Sequence, residues 1–123
     1  MGYYTRYEFN TMKNRYKVSE IVLYMKTECF KYGKFHPFKY EFDDHLHNDN
    51  TCDFYFDMSD ADKWYDHDKE MTELSLKFPE TLFYLYGEGE ECGDSWYTYY
   101  KNGKMQHCPA IITYDKYDES KLA

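Results

Sequence analysis

The densest group of residues able to do chemistry lies in Gly87-Glu88-Gly89-Glu90-Glu91-Cys92-Gly93-Asp94, two residues before Trp96. Glu88, Glu90, Glu91 and Asp94 carry the hard oxygen donors that suit Ca²⁺ or Mg²⁺, but the ligand spacing of an EF-hand loop is absent. No Gly-Lys-Ser/Thr follows, so this is not a Walker loop. Three glutamates would repel a pyrophosphate, which argues against a dinucleotide loop. The same carboxylates disfavour a Cys92 thiolate, the opposite of activation. The simpler reading is an acidic surface loop whose glycines let the chain turn.

Two histidine groups compete for attention. His45 and His47 sit beside Asp43, Asp44 and Asp49 in a polar run. A His-x-His pair on a strand could begin a transition-metal site, but in a loop with no third soft ligand at fixed spacing these are solvated residues. Asp66-His67-Asp68 invites an acid/base reading. His67 nevertheless shares a helical stripe with Met71, Leu74 and Phe78, so a packing or capping role comes first. The four cysteines (29, 52, 92 and 108) form no Cys-x-x-Cys pair, and in a reducing compartment they are free thiols. No catalytic apparatus, cofactor or metal is expected.

The elements that would position these residues read clearly in part. Tyr3, Thr5, Tyr7 and Phe9 alternate with polar neighbours, which predicts a strand over 2–12. Ser19 as cap, Ile21, Tyr24, Met25 and Cys29 as a stripe and Gly33 as stop predict a helix over 19–32. Alternation predicts strands over 38–42 and 54–58, with the polar run 43–51 between them. Asp66 caps a second helix that Pro79 ends. Leu82–Tyr86 is a third apolar strand, before the acidic loop. Two further strands, 96–100 and 105–114, flank Lys101-Asn102-Gly103-Lys104, where Asn-Gly is a strong hairpin signal. The order is β-α-β-β-α-β with an added C-terminal hairpin, an α+β, ferredoxin-like antiparallel sheet. One domain spans 1–114, and 115–123 is a polar tail.

The chain has 123 residues, and 22% of them are aromatic, 16 being tyrosine. That content and length suit a folded single domain rather than a disordered chain. No apolar run approaches the roughly 20 residues of a bilayer span, and 1–10 lacks the apolar core of a secretion signal. The expected location is a cytoplasm. Net charge is −8, unevenly spread: residues 41–94 hold 17 acidic residues against 3 lysines, while 1–40 hold 8 basic against 3 acidic. Such a field repels nucleic acid and attracts basic surfaces. Residues 13–39 do interleave lysines with aromatics, as single-strand RNA binders can, but the signature strings of such domains are missing.

The run Lys63-Trp64-Tyr65-Asp66-His67, Phe78-Pro79, and the pattern GEGEE, GD, W, Y and NGK over 87–104 resemble small phage and mobile-element proteins of unassigned function. The opening Met-Gly-Tyr-Tyr-Thr-Arg-Tyr and the closing Asp118-Glu-Ser-Lys-Leu carry the same resemblance, and 13–60 carries little of it. The resemblance implies phage origin and an accessory role in a host cytoplasm. Proteins of that kind often bind and inhibit host defence enzymes, CRISPR effectors included.

Together these readings predict a binding protein. An acidic, aromatic-rich surface would block the basic, nucleic-acid-binding surface of a host protein, in the manner of a nucleic-acid mimic. It would contact neither nucleic acid nor membrane. Glu88, Glu90, Glu91, Asp94 and Trp96 are its expected centre, with Asp43, Asp44 and Asp49 as a second cluster. The alternative is an enzyme or small-ligand binder built on Glu88, Glu90, Glu91, Asp94 and Trp96.

Overall fold

A computed structural model describes residues 4–38, 48–57 and 61–123. It is an α+β fold. Five antiparallel strands lie in the order β2-β1-β3-β4-β5, with β1 at Thr5–Met12, β2 at Tyr55–Asp57, β3 at Leu82–Gly89, β4 at Ser95–Lys101 and β5 at Lys104–Pro109. Helix α1 (Val18–Tyr24) joins β1 to the β2 region, and α2 (His67–Lys77) joins β2 to β3.

Strand periodicity divides the residues between two faces of the sheet. Phe9 pairs with Phe56 on one side and Leu85 on the other, and Leu85 pairs with Thr98. Phe9, Phe56 and Leu85, with Tyr7, Phe83 and Tyr100, join Ile21, Met25, Met71 and Leu74 of the helical segments in one buried cluster. The helix stripes expected at Ile21/Tyr24/Met25/Cys29 and His67/Met71/Leu74/Phe78 face the core, and all are buried except Tyr24 and His67, which are half-buried.

Several boundaries differ from expectation. Val18, not Ser19, opens α1. Its cap is backbone from elsewhere in the chain: the Val18 and Ser19 amides donate to the Asn50 and Asn48 carbonyls at 2.8 Å each. The expected long helix to Tyr32 loosens into a π turn at Met25–Cys29 and a 3₁₀ turn at Phe30–Tyr32, then stops at Gly33 with φ 78°. Phe38, expected to open a strand, lies in a 3₁₀ turn, and the rest of 38–42 lies outside the described residues. Gly87–Gly89, expected as loop, belong to β3 because Thr5–Tyr7 of β1 pair with them. The last strand ends at Pro109 rather than Tyr114. Ala110 still donates to the Ser95 carbonyl at 2.8 Å, but Ser95 is the first residue of β4, so the ladder ends there. The Asn-Gly hairpin forms as expected, Asn102 and Gly103 both having positive φ (50° and 77°), the combination a type I′ turn requires.

Candidate functional site

The other face of the sheet carries a field of tyrosines. Tyr84 and Tyr86 on β3 alternate with buried Phe83 and Leu85, and Tyr97 and Tyr99 on β4 alternate with buried Thr98 and Tyr100. Register sets Tyr84 opposite Tyr99 and Tyr86 opposite Tyr97. The ring centroids are 5.5 and 5.0 Å apart, and the Tyr97 and Tyr99 rings are stacked at 6.3 Å. Asn10 pairs with both Tyr55 and Tyr84, which carries the row to the edge strand, where Tyr55 is 65% exposed. Burial, the neighbouring Tyr97 and the Glu8 charge push the Tyr84 hydroxyl up. Burial and then the Glu88 charge do the same at Tyr86.

Charge is graded along this face. At the Thr5 end of β1 stand Glu8, Asp57 and Glu88, with Arg6 between the last two at 3.9 and 4.0 Å. A shallow cleft beside them is lined by Tyr4, Arg6, Ala61, Glu88, Gly89 and Glu90. At the Met12 end charges of both signs stand: Asp53, which accepts from the Lys13 and Asn14 amides, and Lys101 and Lys104, which flank a second open cleft with Leu82 and Tyr99.

The predicted site residues are only partly brought together. Glu88 lies on the tyrosine face, and Glu90, Glu91 and Asp94 are exposed in the turn that follows it. That turn closes through the Gly89 amide donating to the Asp94 carbonyl at 2.7 Å. Trp96 points the opposite way. Gly87 faces it across the ladder, and a Cβ there would stand 2.2 Å from the indole, so the ring lies over the glycine on the helix side. There it stacks on His67 at 5.2 Å. Asp49 is exposed at the far end of the molecule, accepting from Ser19 Oγ at 3.1 Å beside the start of α1. The length of β1, roughly 23 Å at about 3.3 Å per step, separates it from the acidic turn. Asp43 and Asp44, like His45 and His47, lie outside the described residues. The acidic block is thus not one patch: Asp68, Glu70 and Glu73 sit on α2, on the opposite side of the sheet.

The Asp66-His67-Asp68 group is structural in its contacts. His67 Nδ1 lies 3.0 Å from Asp68 Oδ1, and the Tyr100 hydroxyl donates to the same oxygen at 2.5 Å. Burial alone would raise the Asp68 carboxyl, but the hydrogen bonds from His67 and Tyr100 outweigh it and hold it below the ordinary range. Burial first, and then the Asp68 bond and charge, push the Tyr100 hydroxyl far up. A depressed carboxyl stabilises the fold above its unfolded pKa of about 3.9, and that contribution is lost as pH falls through the lower folded value. Tyr100→Phe is expected to cost about 1–3 kcal/mol at neutral pH, the range for a bond to a charged acceptor and its orphaned partner. In urea melts the difference from wild type should shrink as pH falls through the lowered Asp68 value, because the carboxylate that accepts the bond is then lost. A pH-independent difference would mean that ring packing, not the bond, carries the effect.

Among the described residues no group of three or more His, Cys, Asp or Glu side chains is placed to hold a metal ion. Cys29 is buried, its thiol pushed up to about 11 by burial, whereas Cys52 and Cys92 are exposed. No described helix is long and apolar enough to cross a membrane. No protein-family model matches the chain, and no curated protein or solved structure matches it either.

The tyrosine face was the feature least visible beforehand, although its signal was present. Tyr84/Tyr86 and Tyr97/Tyr99 occupy one parity of two strands whose other parity is buried. Reading 82–86 simply as an apolar strand hid the fact that its two faces differ.

Proposed function

We propose that this protein is a phage or mobile-element accessory protein that binds a basic surface of a host protein of the defence class, such as a CRISPR effector, and blocks nucleic acid from reaching it. The observation that carries this reading is the flat tyrosine face bordered by Glu8, Asp57 and Glu88 and continued by the exposed turn with Glu90, Glu91 and Asp94. Carboxylates beside aromatic rings present to a basic groove what phosphates beside bases present. The ferredoxin-like topology belongs to the same proposal. The order β2-β1-β3 is that of three of its strands, and the strand expected over 38–42 lies, beyond Phe38, outside the described residues. The small-ligand or enzyme reading is less well supported, because Trp96 turns away from the loop carboxylates it would have to join.

Reversing Glu88, Glu90 and Glu91 to Lys tests the reading. All three are exposed, so the fold should be retained, since surface charge pairs are worth about 0–1 kcal/mol each. Association with the host target should slow by about tenfold or more at low salt, with a weaker effect at high salt. Single-stranded or duplex nucleic acid should compete for the target. Unchanged association rate and affinity, or failure of saturating nucleic acid to compete, would sink the mimic reading.

A further inference from the structure

We propose that the tyrosine face is the centre of the contact surface and that its occupant is an arginine-bearing segment of a protein partner, one guanidinium entering at the Asp57–Glu88 end. This rests on the binding reading above and names the chemistry that the site accepts.

Three observations point to arginine. The face already receives one guanidinium from its own chain: Arg6 lies between Asp57 and Glu88, at the outer limit of ion pairing to each (3.9 and 4.0 Å). The Arg6 side chain is 44% exposed and the two carboxylates 44% and 54%, so water or a second cation can reach all three. Next to this pair lie Tyr86, half-buried, and Tyr97, 43% exposed, their ring centroids 5.0 Å apart, and the nearby Tyr4 ring already takes a cation, with Lys63 Nζ 4.9 Å from its centroid. A planar guanidinium can stack on a tyrosine ring and form paired hydrogen bonds to a carboxylate at once, which an ammonium cannot. Among the described residues, both helices contribute to the core on the opposite side of the sheet, which leaves this face open.

The charge arrangement selects the occupant. Nucleic acid would meet Glu8, Asp57 and Glu88 beside the rings and be repelled. A second copy of this chain could set its Lys101 and Lys104 against these carboxylates, but an ammonium lacks the planar fork that fits ring and carboxylate together. An arginine-rich segment is complementary to both features. Arg6 then acts as an internal competitor, occupying the carboxylates that the incoming guanidinium needs.

The test uses the full-length protein with nona-arginine and nona-lysine peptides as probes, read by calorimetry and by perturbation of the tyrosine ring signals in NMR. Nona-arginine should bind about fivefold more tightly than nona-lysine, as expected of exposed cation–π contacts. Replacing Tyr86 and Tyr97 together by Leu, which keeps apolar area but removes the ring quadrupole, should erase most of that preference. Arg6→Gln should tighten nona-arginine by about threefold, the worth of a loose surface pair. The wild-type ring signals supply the same answer should the double variant fold poorly. Equal affinity for the two peptides, or tyrosine signals unmoved by nona-arginine, overturns the proposal. So does a single-stranded oligonucleotide binding at these rings, or a dimer in sedimentation that buries them. If the proposal fails while the Glu88/Glu90/Glu91 reversal still weakens target binding, the broader reading stands with its centre on the acidic turn. If both fail, the binding reading goes with it.

Discussion

Phe9→Ala is expected to lower stability by about 3–5 kcal/mol, the range for deleting a buried aromatic ring. Phe9 is fully buried in the middle of β1, the strand held between β2 and β3. Its ring lies 5.7–6.4 Å, centroid to centroid, from those of Phe35, Phe38, Phe54, Phe56 and Phe83. Those five come from the 35–38 turn after α1, from β2 and the residue before it, and from β3, so no single element can move inward to fill the space. The cavity term should therefore add to the lost transfer energy rather than relax away. Domains of this size are stable by only about 5–15 kcal/mol, so the loss takes a large share of the total. Chemical denaturation of wild type and variant checks it, with Phe9→Leu as a milder partner should the alanine variant not fold. A loss under about 1 kcal/mol would mean that the Phe cluster is not the centre of the core.

Glu70→Ala should cost about 2–5 kcal/mol for a different reason. Glu70 is a carboxylate on α2 with only 8% of its surface exposed. One oxygen accepts from the Phe35 amide at 2.6 Å and from the Trp64 indole N–H at 3.1 Å. Phe35 has φ 55°, a backbone conformation that a bulky residue adopts only when its surroundings hold it. Removing the carboxylate leaves two buried donors without an acceptor, at about 1–3 kcal/mol each. Glu70→Gln retains an acceptor oxygen and should lose clearly less. Denaturation of the three proteins, together with the emission maximum of the tryptophans, distinguishes the cases. If Ala and Gln are equally tolerated, Glu70 is not the clamp between α2 and the 35–38 turn. Sequence reading did not single Glu70 out, since a glutamate on a helix is ordinarily solvated. Only the fold reveals that its position faces two donors, one brought in from 35 residues away and one from the segment just before α2.

The elements legible in the sequence were those set by short-range physics. The strand expected over 2–12 runs from Thr5 to Met12, with Asn10 buried against the alternation, while the α2 stripe, the stop at Pro79 and the Asn102-Gly103 turn each depend on neighbours a few residues apart and stand where they were expected. So does the α+β class with its antiparallel sheet, because the order of the periodicities is written along the chain. The composition likewise determined a strongly acidic protein rich in tyrosine. What tertiary structure alone decided were the matters that depend on which strand lies beside which. Pairing with Thr5–Tyr7 turned Gly87–Gly89 from loop into strand, and the end of β4 stopped β5 at Pro109. Pairing also put Trp96 over Gly87 on the helix side, parted from the carboxylates that precede it. It set Tyr84 and Tyr86 beside Tyr97 and Tyr99 on one face, with Glu8, Asp57 and Glu88 at one end and Asp49 far away at the other. Charge along the chain therefore fixed the sign of the field but not its shape. Strand register, a long-range property set by burial of one face, turned a run of acidic residues into a graded surface and a scatter of tyrosines into a single face.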